Sequence, residues 1–151
     1  MGEMKAFLDT NVIVDFLGER EPFYQDAACI FEMLRKRKVN LITSALTLVN
    51  CAYILKKAYS QNVMLLKIKW LCDVLDITPI DEVTLINAIQ HKGTDFEDTV
   101  QYYSALPYQP DVIITRDKKG FSDLDIPVMT PAEFIERSRD RSMPSPVTPE
   151  F

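Results

Sequence analysis

Four glycines in 151 residues leave no material for a phosphate-cradling loop, and neither GxGxxG nor GxxxxGK occurs. Nucleotide binding of the usual kinds loses its main support. A single histidine, His91, argues against a His-rich metal site or a histidine triad built within one chain. The cysteines, Cys29, Cys51 and Cys72, are odd in number, far apart and set in apolar helical contexts. They read as reduced core residues, not as a disulfide frame or a zinc site. No run approaches the ~18 apolar residues of a membrane span, and no signal peptide is recognisable ahead of Met4. The expected setting is cytoplasmic, with no membrane contact. Positive charge is short as well. A net charge of −5 argues against a broad basic surface for duplex DNA. It leaves room for an acidic site that meets phosphate through Mg²⁺ or Mn²⁺.

What is present is ordinary globular composition, 47% hydrophobic and 26% charged, and enough chain for one core. Short apolar runs alternate with helical periodicity. "KAFL", "NLITS", "DITPI", "DVIIT" and "PVMT" read as strands. Between them lie helices to about Leu17, from Pro22 to the basic end Arg35-Lys36-Arg37-Lys38, from Ser44 to about Tyr59, and from about Asn62 to Leu75. Further helices cover Val83 to His91, "TDFEDTVQYYSAL", and a last one from Pro131. Thr10 or Asn11, Ser44 and Asp81 are expected N-caps. This pattern predicts an α/β fold, three layers with a mainly parallel five-stranded sheet. The domain is expected over residues 4–137, and the Ser-, Pro- and charge-rich stretch 138–151 reads as a disordered tail.

In an open α/β sheet, ligands bind beyond the carboxyl ends of the strands. Asp9 follows the first strand and Asp117 follows "VIIT", so parallel strands bring both to one edge. Asp95, Glu97 and Asp98 lie in the first turn of a helix. Asp95 and Asp98, three apart, share a face, and Glu97 is expected to point away. Asp95 also suits an N-cap, and Asp117 a turn. Asp98 lies beside Tyr102 and Ala105 on a flank that faces inward, where an unpaired carboxylate is costly. Together these oxygen donors, without histidine, suit Mg²⁺ or Mn²⁺. Arg116, Lys118 and Lys119 adjoin the site, as phosphate-binding cations or as solvated loop residues. Asp15 reads as a surface or helix-flank acid.

On these residues the chain resembles the PIN-domain ribonucleases, which include the VapC toxins of toxin–antitoxin pairs. "FLDTNVIVDFL" is similar to the family's first motif, "TDFEDTVQYYSAL" to its third and "DVIITRDKKGF" to its fourth. The resemblance implies a parallel sheet between helices, acids at its carboxyl edge, and metal-dependent cleavage of RNA. It implies catalytic and metal-binding roles for Asp9, Asp95, Asp98 and Asp117. Thr10 and Thr115 would orient carboxylates, and Asn11 would fix the first loop. In the second motif, "SALTLVNCAYIL" matches Ser44 and Thr47, but Asn50 stands at the acid's position. Gly120 stands where the fourth motif often has Asp. These departures imply a metal affinity that is weakened, compensated by Glu97 or Asp95, or lost.

Two functions follow. One is a divalent-metal-dependent endoribonuclease, the toxin of a toxin–antitoxin pair, with an antitoxin protein as partner and a homodimer as the expected state. The other is a PIN-fold RNA-binding or regulatory module with weak or no nuclease activity, because of Asn50. Phe23, Tyr24, Tyr53 and Tyr59 are candidate interface aromatics, or packing residues.

Overall fold

Alternation along the strands decides which side chain enters which core. The computed structural model describes residues 4–142. Its strands are β1 (Met4–Leu8), β2 (Val39–Ser44), β3 (Asp76–Thr78), β4 (Val112–Ile114) and β5 (Val128–Met129), in the order β3-β2-β1-β4-β5. Every neighbouring pair is parallel, so the five-stranded sheet is wholly parallel. In register, Ala6 lies opposite Leu41 and Val112, and Phe7 opposite Ile42 and Ile113. Ala6, Leu8, Leu41, Val112 and Ile114 therefore enter one core. Phe7, Ile42 and Ile113 enter the other.

The larger core is closed by α1 (Thr10–Leu17), α2 (Tyr24–Arg35), α3 (Ala45–Leu55), α4 (Gln61–Val74) and α7 (Pro131–Ser142). The smaller is closed by α6 (Phe96–Ala105) through Tyr102 and Ala105, with Phe121 and Leu124 beyond it. Helix α5 (Glu82–His91) packs along α6. These are the expected three layers. Phe7 is fully buried, and truncating such a ring to Ala costs about 3–5 kcal/mol.

Caps place the helix starts. Ser44 Oγ accepts from the Thr47 amide at 3.1 Å and Asp81 Oδ1 from the Thr84 amide at 2.9 Å, both as expected. The first helix differs: its N-cap is Asp9, not Thr10 or Asn11. A carboxylate at the strand end accepts the first free amide itself. Helix α2 opens at Tyr24, after Pro22, and α3 ends at Leu55, before Tyr59. Helix α7 continues through Ser142, past the expected boundary at 137; the rest of the expected tail, 143–151, lies outside the described residues. No helix among the described residues is long and apolar enough to cross a membrane.

Candidate active site

Because every strand runs the same way, the segments following β1, β2 and β4 meet at one edge. There Asp9, Asn50, Asp95, Glu97, Asp98, Gln101, Arg116 and Asp117 are among the residues lining one pocket of about 480 Å³. Asp9 is its buried floor, with 8% exposure. Its Oδ1 accepts from the Thr10 amide at 2.7 Å and from Gln101 Nε2 at 3.1 Å. Its Oδ2 accepts from Thr115 Oγ1 at 2.8 Å and, more weakly, from Asn11 Nδ2 at 3.5 Å. Thr115 thus bonds the carboxylate, and Asn11, read as fixing the first loop, reaches both the carboxylate and the Arg116 amide. Thr10 acts through its backbone instead. Its hydroxyl is buried with no hydrogen-bond partner among the described residues.

Gln101 was not anticipated. It is buried at 1% exposure, and Thr47 Oγ1 donates to its Oε1 at 2.7 Å. That bond turns the amide nitrogen toward Asp9. The second-motif residues Ser44 and Thr47 therefore reach the site through Gln101: Ser44 Oγ donates to Thr47 Oγ1 at 3.3 Å. A helix-flank glutamine carries no charge to mark it, and only α6 packed over the end of β1 reveals its role.

The α6 acids form the opposite wall. Asp95 is the N-cap, its Oδ1 accepting from the Asp98 amide at 2.9 Å. Asp98 is half-buried, and its carboxyl is pushed up to about 8, first by burial and then by Asp9, Asp95, Glu97 and Asp117. Burial likewise raises Asp9, against the hydrogen bonds from Thr115, Thr10 and Gln101. Glu97 does not point away: it lines the pocket, and Asn50 Nδ2 donates to its Oε2. The second-motif position thus holds a carboxylate in place instead of supplying one. Gly120 has a steric reason. A Cβ there would lie 1.7 Å from Asp98 Oδ2 and 3.2 Å from the Asp95 Cβ. Asp98 occupies the space a side chain at 120 would need.

The cations divide. Arg116 lines the pocket and pairs with Asp15, Nε to Oδ2 at 2.6 Å. Asp15 is no surface acid; it is buried at 1% exposure, and Arg20 Nε lies 3.7 Å from its Oδ1. Lys118 turns instead to Glu133 on α7, at 3.0 Å. Lys119 is exposed, and neither lysine is among the pocket-lining residues. Asp117 is exposed in the pocket rim, its amide donating to Thr115 Oγ1 at 3.0 Å.

A family model described as a PIN domain matches residues 5–119. The chain belongs to the PIN-domain family. This PIN domain is 32% identical over 142 residues to Ribonuclease VapC1 of Aquifex aeolicus, covering 91% of this chain and 97% of that one. Among solved structures it is similar to VapC20 of Mycobacterium tuberculosis, described as a sarcin–ricin loop cleaving toxin. The TM-score is 0.63 at 10% identity, with 80% of this chain and 96% of that one covered. It is also similar to a toxin–antitoxin complex from Klebsiella pneumoniae, with TM-score 0.62 at 19% identity and 83% and 97% coverage. At these identities the two structures bear on the fold alone.

The PIN family implies a divalent cation, and the donor set fits one. Carboxylates from three segments share the pocket, and mutual repulsion contributes to holding Asp98 near 8. A hard cation relieves that repulsion and accepts oxygen ligands of this kind. Beside Asp9, the unpaired Thr10 hydroxyl is a further oxygen donor. Among the described residues, no three acids, histidines or cysteines are already gathered as a coordination group.

Proposed function

We propose that this PIN domain is a divalent-metal-dependent endoribonuclease and the toxin of a toxin–antitoxin pair. The observation that carries the reading is the pocket at the carboxyl edge, where Asp9 is held by neutral donors and faces Asp95, Asp98 and Asp117. Neutral donors orient a carboxylate without cancelling its charge, which leaves that charge for a cation. Asp9 and Asp98 would hold Mg²⁺ or Mn²⁺, with Asp95 and Asp117 as further ligands or outer acids. When bound, the metal supplies a water of lowered pKa and stabilises charge on phosphate oxygens. Gln101, Thr115 and Asn11 fix the Asp9 carboxylate, and Gly120 leaves room for that of Asp98. Glu97, held by Asn50, offers the acid that the second motif lacks. The 32% identity to a ribonuclease across nearly the whole chain supports RNA as the substrate.

An antitoxin partner follows from the VapC name of the 32% identical relative, and the Klebsiella pneumoniae structure that shares the fold is itself a toxin–antitoxin complex. Exposed apolar side chains give it, and a homodimer, surface to use: Val49, Tyr53 and Ile54 on α3, Leu65, Leu66 and Trp70 on α4. Of the other candidate aromatics, Phe23 is exposed beneath Arg116, while Tyr24 and Tyr59 are half-buried packing residues. A small open reading frame beside this one, whose product copurifies with it, is the expected genetic context.

One observation favours a second reading, an RNA-binding or regulatory module: among the described residues, the acids are not preassembled as a ligand group. Incubation of labelled RNA with the purified chain and Mn²⁺ separates the two. The nuclease reading expects cleavage that EDTA, Asp9→Asn and Asp98→Asn each abolish. Cleavage by both variants at the rate of the unaltered chain would overturn the site, and RNA binding without cleavage would establish the module.

A further inference from the structure

Helix α1 carries a buried acid at each end, and the second one organises a cationic group. Asp15 sits at 1% exposure, in contact with two guanidinium groups. Arg116 offers it Nε at 2.6 Å and Nη2 at 3.3 Å, while its guanidinium carbon lies 3.8 Å from the centre of the Phe23 ring. Its backbone amide donates to Asn11 Oδ1 at 3.1 Å, tying it to the loop that carries Asp9. Arg20 lies 3.7 Å from the same carboxylate, and the turn that carries it is wound back onto α1. The Arg20 amide donates to the Asp15 carbonyl at 3.0 Å, and the Phe23 amide to the Arg20 carbonyl at 2.9 Å.

One carboxylate cannot neutralise two guanidiniums, so the group keeps a net positive charge. Both arginines line the pocket that holds Asp9 and Asp98. Arg116 uses two of its five N–H donors on Asp15. Its side chain is 28% exposed and that of Arg20 48%, so each can still meet a ligand. A planar guanidinium held on an aromatic face with donors free is suited to phosphate oxygens.

We propose that Arg116 and Arg20 bind backbone phosphates of the RNA beside the scissile bond, and that buried Asp15 is the positioning residue that aims both. This rests on RNA as the substrate, and it extends the site from the acids alone to an acid floor with a cationic rim. Lys118 and Lys119, the other cations adjoining the site in sequence, lie outside the rim.

The test is fluorescence anisotropy of a fluorescein-labelled single-stranded RNA with the full chain in EDTA, across a salt series, so that no strand is cut. Arg116→Ala and Arg20→Ala are each expected to weaken binding about tenfold, the range for a charge-assisted contact. Each should also flatten the slope of log K against log salt by about 0.7. Lys118→Ala should leave both unchanged. Asp15→Asn separates aiming from net charge: losing a negative charge strengthens RNA binding if charge alone matters, whereas aiming requires that binding weaken. A thermal melt shows whether that variant is folded. Arg116→Lys, which keeps the charge and loses the fork, tests the same point with Asp15 intact and should also weaken binding. No binding by the unaltered chain, unchanged affinity in both alanine variants, or unchanged or tighter binding by Arg116→Lys would overturn the proposal. Cleavage with Mn²⁺ is read separately. Cleavage with arginine-independent binding would sink this inference alone; arginine-dependent binding without cleavage would sink the nuclease reading alone.

Discussion

Asp9 and Asp15 are both buried, six positions apart at the two ends of one helix, yet their surroundings are opposite in kind. Asp9 is surrounded by neutral donors: one backbone amide, two side-chain amides and a hydroxyl. Asp15 is met by two arginines. Neutral donors orient a charge and leave it uncompensated, and burial then raises the carboxyl of Asp9. An ion pair consumes the charge and gains rigidity from it. On the proposed reading, the difference separates an acid kept for a metal from one that holds two arginines in place, and each can be broken alone.

The largest contrast should come from Asp9→Asn against Asp15→Asn. Asp9→Asn is expected to lower RNA cleavage by at least ~100-fold, the scale on which metal-site residues act. Its stability should stay within about 1 kcal/mol, because a buried charge is lost together with the bonds accepted by one carboxylate oxygen. Asp15→Asn should instead cost about 1–3 kcal/mol in urea denaturation. That lies below the range for a fully buried pair, since the arginine side chains are 28% and 48% exposed. Equal stability losses in the two variants would erase the distinction.

Next is Gly120→Ala. The added methyl meets Asp98 Oδ2 at 1.7 Å, so the carboxylate must move. Overpacking of this kind costs about 1–3 kcal/mol, and cleavage should fall about tenfold or more, as displacement of a positioned catalytic group does. Wild-type cleavage by this variant would show that Asp98 needs no fixed place.

A separate effect is expected from pH. Asp98 titrates near 8 in the folded chain against 3.8 ordinarily. Between those values the native state keeps a proton that the unfolded chain has released. The metal-free protein should therefore lose stability as pH rises from about 4 to about 8 and level off above, the opposite of a salt-bridged acid. Metal binding needs the ionised form, so Mn²⁺ affinity should rise over the same window. Urea melts in EDTA at several pH values, with and without Asp98→Asn, check this; a stability that rises through the window would contradict it.

Much of this was legible beforehand, and the gaps have physical causes. The parallel sheet follows from short β-branched runs alternating with helical spacing. The acids at its edge follow from strand ends at Asp9 and Asp117. The surface or helix-flank reading of Asp15 fails because amphipathic reasoning assumes one wet face, and α1 has almost none: Val12, Ile13, Val14, Asp15 and Leu17 are all buried. It is packed against α2 and α3 as well as the sheet. Glu97 was placed away from Asp95 by helical angle alone, which cannot anticipate α3 lying close enough for Asn50 to reach it. Gln101 meets Asp9 across 92 residues of sequence, a contact that only the packing of α6 creates.

On the proposed reading, the Asp9 and Asp98 carboxyls are placed to bind a divalent cation, with Asp98 giving up its proton as the metal arrives. Isothermal titration of Mn²⁺ into the metal-free chain tests it without relying on any RNA target. Binding is expected at submillimolar metal, with the release of protons near pH 7, and should be lost in Asp9→Asn and Asp98→Asn but retained in Asp15→Asn. No heat of binding at millimolar Mn²⁺, or affinity unchanged by the first two substitutions, would rule out Asp9 and Asp98 as ligands of the cation.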